Sequence, residues 1–185
     1  VASLLHSTGH SLWREYHVNN HGKQARLFGA SILARLRDQH PPENGYVGDY
    51  VNEIAEKARA GGIPETEEDL MEFGLALMVE RFQALLERLG VRYDEWFSEK
   101  SLWEDGEAQK AIERLRKKGL LKEKDGATWF APAMDEGGGD AEDRVVISSD
   151  GVEPYFASAL GYLLNRSHAR GFQRVHLVSG PAPRG

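Results

Sequence analysis

Between Thr66 and Leu89 apolar residues fall at Leu70, Phe73, Leu77, Val79, Phe82, Leu85, Leu86 and Leu89. One face of a helix satisfies that spacing and a strand does not, so this stretch predicts a long helix to about residue 89. Thr66, with Asp69 three positions on, resembles a variant capping box and marks where it starts. A helix this apolar needs partners, and the sequence before it supplies them. Residues 23–39 carry Leu27, Ala30, Ile32, Leu33 and Leu36 near helical period, and residues 49–60 form a further helix ended by Gly61-Gly62. His40-Pro41-Pro42-Glu43-Asn44-Gly45 separates these two, because a proline disfavours α geometry in the residue before it.

The ends of the chain read differently. A short apolar stretch, 2–5, is closed by Gly9 as a helix end. Residues 11–18, with Trp13, Tyr16 and Val18, read as a strand, and Asn19-Asn20-His21-Gly22 as a turn. Val91, Tyr93, Glu95 and Phe97 alternate as an extended segment does, and residues 104–118 fit an amphipathic helix stopped by Gly119. Residues 120–130 read as a hairpin around Asp125-Gly126, a pair suited to a type I′ turn. The acidic, glycine-rich stretch 135–143 predicts a loop. Val145-Val146-Ile147 is a buried-strand candidate, followed by a helix over 154–168 and a last strand over 172–178. Strands alternating with helices at both ends of a helical middle imply an α/β fold, a parallel sheet interrupted by a mostly helical insertion. In that reading Tyr16 and Ile147 lie on strands of one parallel sheet.

Composition narrows the function classes. The chain has 185 residues, 41% hydrophobic and 28% charged, which is ordinary for a water-soluble core. Its net charge of -6 gives no chain-wide basic footprint and argues against a stand-alone DNA- or RNA-binding module. It has no cysteine, which excludes disulfides, thiolate metal sites and a cysteine nucleophile. No apolar run approaches membrane-spanning length.

Several segments, in order, resemble bacterial arginyl-tRNA synthetases. Gly9 through Gln24, ending in Asn19-Asn20-His21-Gly22-Lys23-Gln24, is similar to that family's strand-turn-helix with Asn-Asp-x-Gly-x-Gln. Gly45-Tyr46-Val47-Gly48-Asp49-Tyr50 resembles its Gly-Tyr-x-Gly-x-Tyr stretch, and Leu89 through Glu99 its Leu-Gly-Val-x-Phe/Tyr-Asp segment. Ser101-Leu102, Lys118-Gly119-Leu120-Leu121 and Asp125-Gly126-Ala127 follow in register, and Asp143 through Gly151 resembles Asp-Arg-Val-x-x-x-Ser-Asp-Gly. The resemblance implies a Rossmann-like core in two parts, 1–40 and 143–185, split by a helical connective insertion with a small hairpin over 41–142. It also implies the parent activity, ATP-dependent attachment of arginine to tRNA with Mg²⁺, in the cytoplasm, with tRNA and arginine as partners and neither DNA nor a membrane.

The departures matter as much. A His-x-Gly-His element would lie before Val1 and a Lys-Met-Ser-Lys-Ser loop beyond Gly185, so neither ATP signature is present and neither ATP nor Mg²⁺ is expected to bind tightly. The resemblance places an arginine-contacting Tyr-x-x-x-Asp helix at Tyr155, but Ala159 stands where the aspartate should be. Asn20 replaces an aspartate, and Ala182 and Pro183 stand at the Asp and His of a Gly-Ala-Asp-His motif. The expected substrate-binding residues are therefore Tyr155, Asn19, Asn20 and Gln24, with Gly22, Ser149 and Asp150 beside the cleft. The chain is expected to be an inactive synthetase fragment; the alternative is a non-catalytic, synthetase-like paralogue that binds a protein or tRNA partner.

Plainer readings stand beside these. Asn19, Asn20, Gly22 and Gln24 are also ordinary turn and helix-start residues. Asp150 also fits a helix N-terminal charge, and Tyr155 a half-buried helix aromatic. His17 and His21 sit across a strand-turn junction and share no helix face, so no metal site is expected. Arg114, Arg116, Lys117, Lys118 and Lys122 can touch a nucleic-acid backbone, but interleaved Glu113 and Glu123 favour a solvated face. Trp13, Trp96, Trp103 and Trp129 are spread out, as packing residues are.

Overall fold

A computed structural model describes residues 1–131, 144–149 and 155–178, with the backbone alone for Tyr155. The expected loop at 135–143, the Asp150-Gly151 turn and the 180–185 ending lie outside the described residues. The chain divides into two compact units, Val1–Lys100 and Ser101–Gly185.

The first unit holds α1 (Ala2–Ser7), β1 (Glu15–Val18), α2 (Gly22–Leu36), α3 (Asp49–Ala60), α4 (Glu67–Arg88) and β2 (Glu95–Ser98). Helix α4 starts where the sequence places it, since the Thr66 hydroxyl accepts the Asp69 N–H at 3.1 Å. Its first half packs on α2, and there the backbones come unusually close. A Cβ at Gly29 would lie 2.2 Å from the Glu67 carbonyl oxygen, and one at Gly74 would lie 2.5 Å from Ile32 Cδ1. Around that crossing Phe28, Ile32, Leu36, Val51, Ile54, Ala58 and Leu70 form the buried core. Ser31 Oγ accepts the Tyr46 N–H at 2.9 Å and donates to the Leu27 carbonyl, which seats the Gly45-Tyr46 segment against α2. Arg81 reaches Glu53 at 2.7 Å and ties α4 to α3.

Strands β1 and β2 pair in parallel, with Tyr16 opposite Trp96 and Val18 opposite Ser98. A two-stranded parallel ladder is weak alone, and two sets of contacts reinforce it. Arg14 forms a bidentate pair with Asp94, both contacts at 3.1 Å, while its own N–H donates to Asp94 Oδ2 at 2.7 Å. Tyr16 stacks on Trp96 and Tyr93 meets both edge-on, with ring centroids 4.5–5.6 Å apart.

The second unit takes in most of α5 (Glu99–Glu104), then α6 (Glu107–Lys117), β3 (Leu121–Lys124), β4 (Ala127–Phe130), β5 (Arg144–Ile147) and α7 (Tyr155–Leu164). A π-helical turn, Asn165–Ala169, extends α7. Asp125 and Gly126 both have positive φ, 53° and 74°, as the type I′ hairpin requires. Helices α6 and α7 meet at Gly161, where a Cβ would lie 2.9 Å from Ala108 Cα. The buried Ser158 hydroxyl accepts the Trp103 indole N–H at 3.0 Å.

The mixed α/β class, with a parallel sheet beside a helical block, agrees with the sequence reading. Two element-level expectations do not. The strand of Ile147 pairs antiparallel with β4 in the order β3-β4-β5, so it does not share a parallel sheet with Tyr16. The hairpin leaves one edge of β4 open, and β5 takes it; the partner of β1 is β2 instead. The helix expected over 104–118 is present as α6, beginning at Glu107 because Gly106 at φ 72° separates it from α5. Residues 172–178 alternate as a strand should but pair with no strand among the described residues, and a strand exists only through its ladder.

Candidate functional site

In open α/β sheets ligands bind beyond the carboxyl ends of parallel strands, where helix N-termini converge. The first unit has one such place. Strand β1 runs through Asn19-Asn20-His21 into α2, and β2 runs directly into α5. Gly22 opens α2 with φ 80°, a left-handed conformation that glycine adopts without strain, and so permits this abrupt exit.

Asn20 joins the two strand ends. Its Nδ2 donates to Ser98 Oγ at 2.9 Å, and its Oδ1 accepts the Lys100 N–H at 3.0 Å. The second bond satisfies a backbone donor in the first turn of α5, so Asn20 caps that helix from across the crevice. Asn19 turns the other way. With its amide oriented to satisfy both neighbours, Nδ2 donates to Glu99 Oε2 at 3.1 Å and to the His21 carbonyl at 3.2 Å.

Glu99 is the sole buried charged side chain among the described residues, at 3% exposure. As the first residue of α5 it sits at the favourable end of the helix dipole. His17 Nε2 lies 3.9 Å from the same carboxylate oxygen, so protonation of this imidazole would place a cation beside it. The His17 ring is tilted over Phe97, its register partner, at 6.4 Å. Carboxylate, imidazole and amide thus meet at the ends of the two strands.

The opposite face of the strand pair opens on a cleft of about 470 Å³. Val18, Asn20, Trp96 and Ser98 line it from the sheet, Met71, Leu75, Ala76 and Val79 from α4. At its rim Lys100 pairs with Glu72.

Of the residues expected from sequence, Asn19, Asn20, Gly22 and Gln24 come together on the β1–α2 junction. Gln24 is exposed in the first turn of α2, and its Oε1 accepts the Tyr46 hydroxyl at 2.8 Å. Ser149 and Tyr155 belong to the second unit. Ser149 follows β5 beside the Gly126 turn, and Tyr155 is the first residue of α7, with Ala159 half-buried one turn on. Asp150 lies outside the described residues. Glu99 was not singled out from sequence, although a signal existed: Ser98-Glu99 closes an alternating segment and opens a helix, as Asn19-Asn20 does. Among the described residues no three of His, Cys, Asp and Glu converge in a way that would hold a metal ion.

Comparison with known proteins gives a consistent picture. No family model matches the chain. An arginine–tRNA ligase of Bifidobacterium animalis subsp. lactis is 35% identical over 92% of this chain and 32% of its own length. Ligases of the same name from Kineococcus radiotolerans and Elusimicrobium minutum are 39% and 37% identical, each over 97% of this chain and 33% of the relative. The chain therefore spans about a third of the curated relatives it matches. Among solved structures, an arginyl-tRNA synthetase from Campylobacter jejuni superposes with a TM-score of 0.75 at 26% identity, over 92% of this chain and 39% of that one. The Plasmodium falciparum arginyl-tRNA synthetase shares the fold, with a TM-score of 0.54 at 14% identity.

Proposed function

We infer that this chain, a homologue of arginine–tRNA ligases along about a third of their length, is the arginine- and tRNA-handling part of such an enzyme with its own arginine site incomplete. Within this reading the protein works in the cytoplasm. The observation that supports it best is the crevice at the carboxyl ends of β1 and β2, which carries a buried carboxylate.

The chemistry follows from arginine itself. A guanidinium is a planar cation with five N–H donors, and it is held best by carboxylates that accept in pairs. Glu99 is the anion the crevice retains, oriented by Asn19 and flanked by His17. Asn20 keeps the two strand ends at a fixed separation. The resemblance also calls for an aspartate four residues after Tyr155, and Ala159 stands there, so the arginine-binding set it implies lacks that anion. Removing one partner of a buried charge pair costs about 3–5 kcal/mol, enough to lower affinity by about two to four orders of magnitude.

Neither ATP nor its magnesium is expected to bind this chain tightly, because the two signatures the resemblance assigns to ATP match no segment of it. The substrate class is therefore arginine and tRNA in the parent enzyme, while this chain does not activate arginine. Arginine-dependent ATP–pyrophosphate exchange tests both halves. The expected result is no exchange above the arginine-free background, together with no thermal shift on arginine titration. Arginine-stimulated exchange would overturn the inactivity.

A further inference from the structure

Resting on that reading for the identity of its partner, we propose that the last turn of α6 and the outer face of the β3–β4 hairpin form a docking surface for the phosphate backbone of RNA. The observation is a run of exposed cations with no acid beside them. Five basic residues elsewhere are answered by acids, Arg14 by Asp94, Arg37 by Glu65, Arg81 by Glu53, Lys100 by Glu72 and Lys110 by Glu107, whereas exposed cations that form no ion pair among the described residues, such as Lys57 and Arg88, stand on separate helices. Arg114, Arg116, Lys117, Lys118, Lys122 and Lys124 are all exposed, and none forms an ion pair among the described residues. In a chain of net charge -6, six unanswered cations within eleven positions are a local reversal of sign.

Glu123, the acid that lies among them, does not cancel the patch. The Glu123 carboxylate accepts the Thr128 hydroxyl at 2.9 and 3.0 Å, on the hairpin face that packs inward with Leu121 and Phe130. Lys122 and Lys124 point to the other face, because side chains alternate along a strand. There Lys122 is the register partner of Trp129, and Lys124 Nζ lies 6.0 Å from the Trp129 ring. The indole N–H donates to the Lys124 carbonyl at 3.1 Å, which fixes the ring on that face. Lysines flanking a fixed, half-exposed tryptophan are what a nucleic-acid strand uses, with phosphates on the ammonium groups and a base against the ring. The α6 cations sit at a helix C-terminus, the end of the dipole that favours positive charge. Gly119, at φ 67°, turns the chain from that helix end into β3 and makes the surface continuous along the chain.

Binding of the full chain to a tRNA transcript, followed by fluorescence anisotropy from low to moderate salt, tests this. Each engaged phosphate contributes about 0.9 to the slope of log affinity against log salt on a duplex and about 0.7 on a single strand. The K117Q/K118Q/K122Q variant is expected to reduce the slope by about 2 and low-salt affinity at least tenfold. The control K57Q/R88Q, which removes as exposed a pair of cations from α3 and α4, is expected to leave both unchanged. Circular dichroism of each variant confirms folding; a variant that does not fold is replaced by the single exchanges K118Q and K122Q, each expected to reduce the slope by slightly less than 1. No tRNA binding at low salt, equal losses in both variants, or equal competition by a DNA duplex of the same length would overturn the proposal. The arginine-site reading is tested separately by pyrophosphate exchange, so either can fail alone.

Discussion

Asn20 shows how a residue expected to touch substrate can act through the scaffold. Its amide is satisfied within the protein by Ser98 and the Lys100 N–H, so truncation removes both half-buried bonds that join the strand ends. Asn20→Ala is expected to destabilise the first unit by about 1–3 kcal/mol in urea unfolding. Gln24→Ala, which loses one exposed bond to Tyr46, should cost less than about 1 kcal/mol. Equal stabilities for the two variants would refute the bridging role of Asn20. Asp94 makes a pH prediction. The Arg14 guanidinium holds the Asp94 carboxyl below its usual value of 3.8, and Arg14 itself stays charged throughout. A depressed folded-state value means the pair stabilises above the unfolded carboxylate's pH range and fades as pH falls through the folded one. Asp94→Asn should therefore lower the urea midpoint at neutral pH, with the deficit shrinking as pH is taken below 3.8. Because the pair is exposed, the deficit is small.

Helices were more legible in the sequence than sheets, and the reason is the range over which each signal acts. The start of α4 was readable because cap and apolar period lie within a few residues of each other. The hairpin turn was readable because Asp125 and Gly126 carry the positive φ themselves. The partner of β1 was not, because Arg14 and Asp94 lie 80 positions apart and nothing local links them. The candidate site divides the same way: Asn19, Asn20 and Gly22 announce a turn, whereas the burial of Glu99 arises only when β2 meets β1. Helix packing makes its own prediction at the glycines. Gly29→Ala drives a methyl into the Glu67 carbonyl, which cannot yield without moving α4, whereas Gly74→Ala meets side chains alone, the end of Ile32 and the edge of the Phe28 ring. Thermal or urea unfolding should show a loss of about 3 kcal/mol for Gly29→Ala and about 1 kcal/mol for Gly74→Ala. The reverse order would mean that the α2–α4 crossing is looser than this geometry.

Two units, each with its own buried cluster, give stability a local address. Gly161→Ala presses on the Ala108 backbone, so hydrogen exchange followed by mass spectrometry should speed in α6 and α7 and stay unchanged in α2 and α4. Uniform acceleration along the chain would show that the units open together. The antiparallel pairing of Ile147 removes one structural argument for a single parallel sheet, and the family likeness rests instead on sequence identity along the chain and on the superposition with the Campylobacter jejuni enzyme. The long separation between β1 and β2 has a temporal consequence. On a ribosome, Tyr16 emerges early and waits until Trp96 has followed it out, while α2, α3 and α4 can collapse on one another in the interval. The first strand made is among the last to be paired, and its apolar edge must stay out of trouble until then.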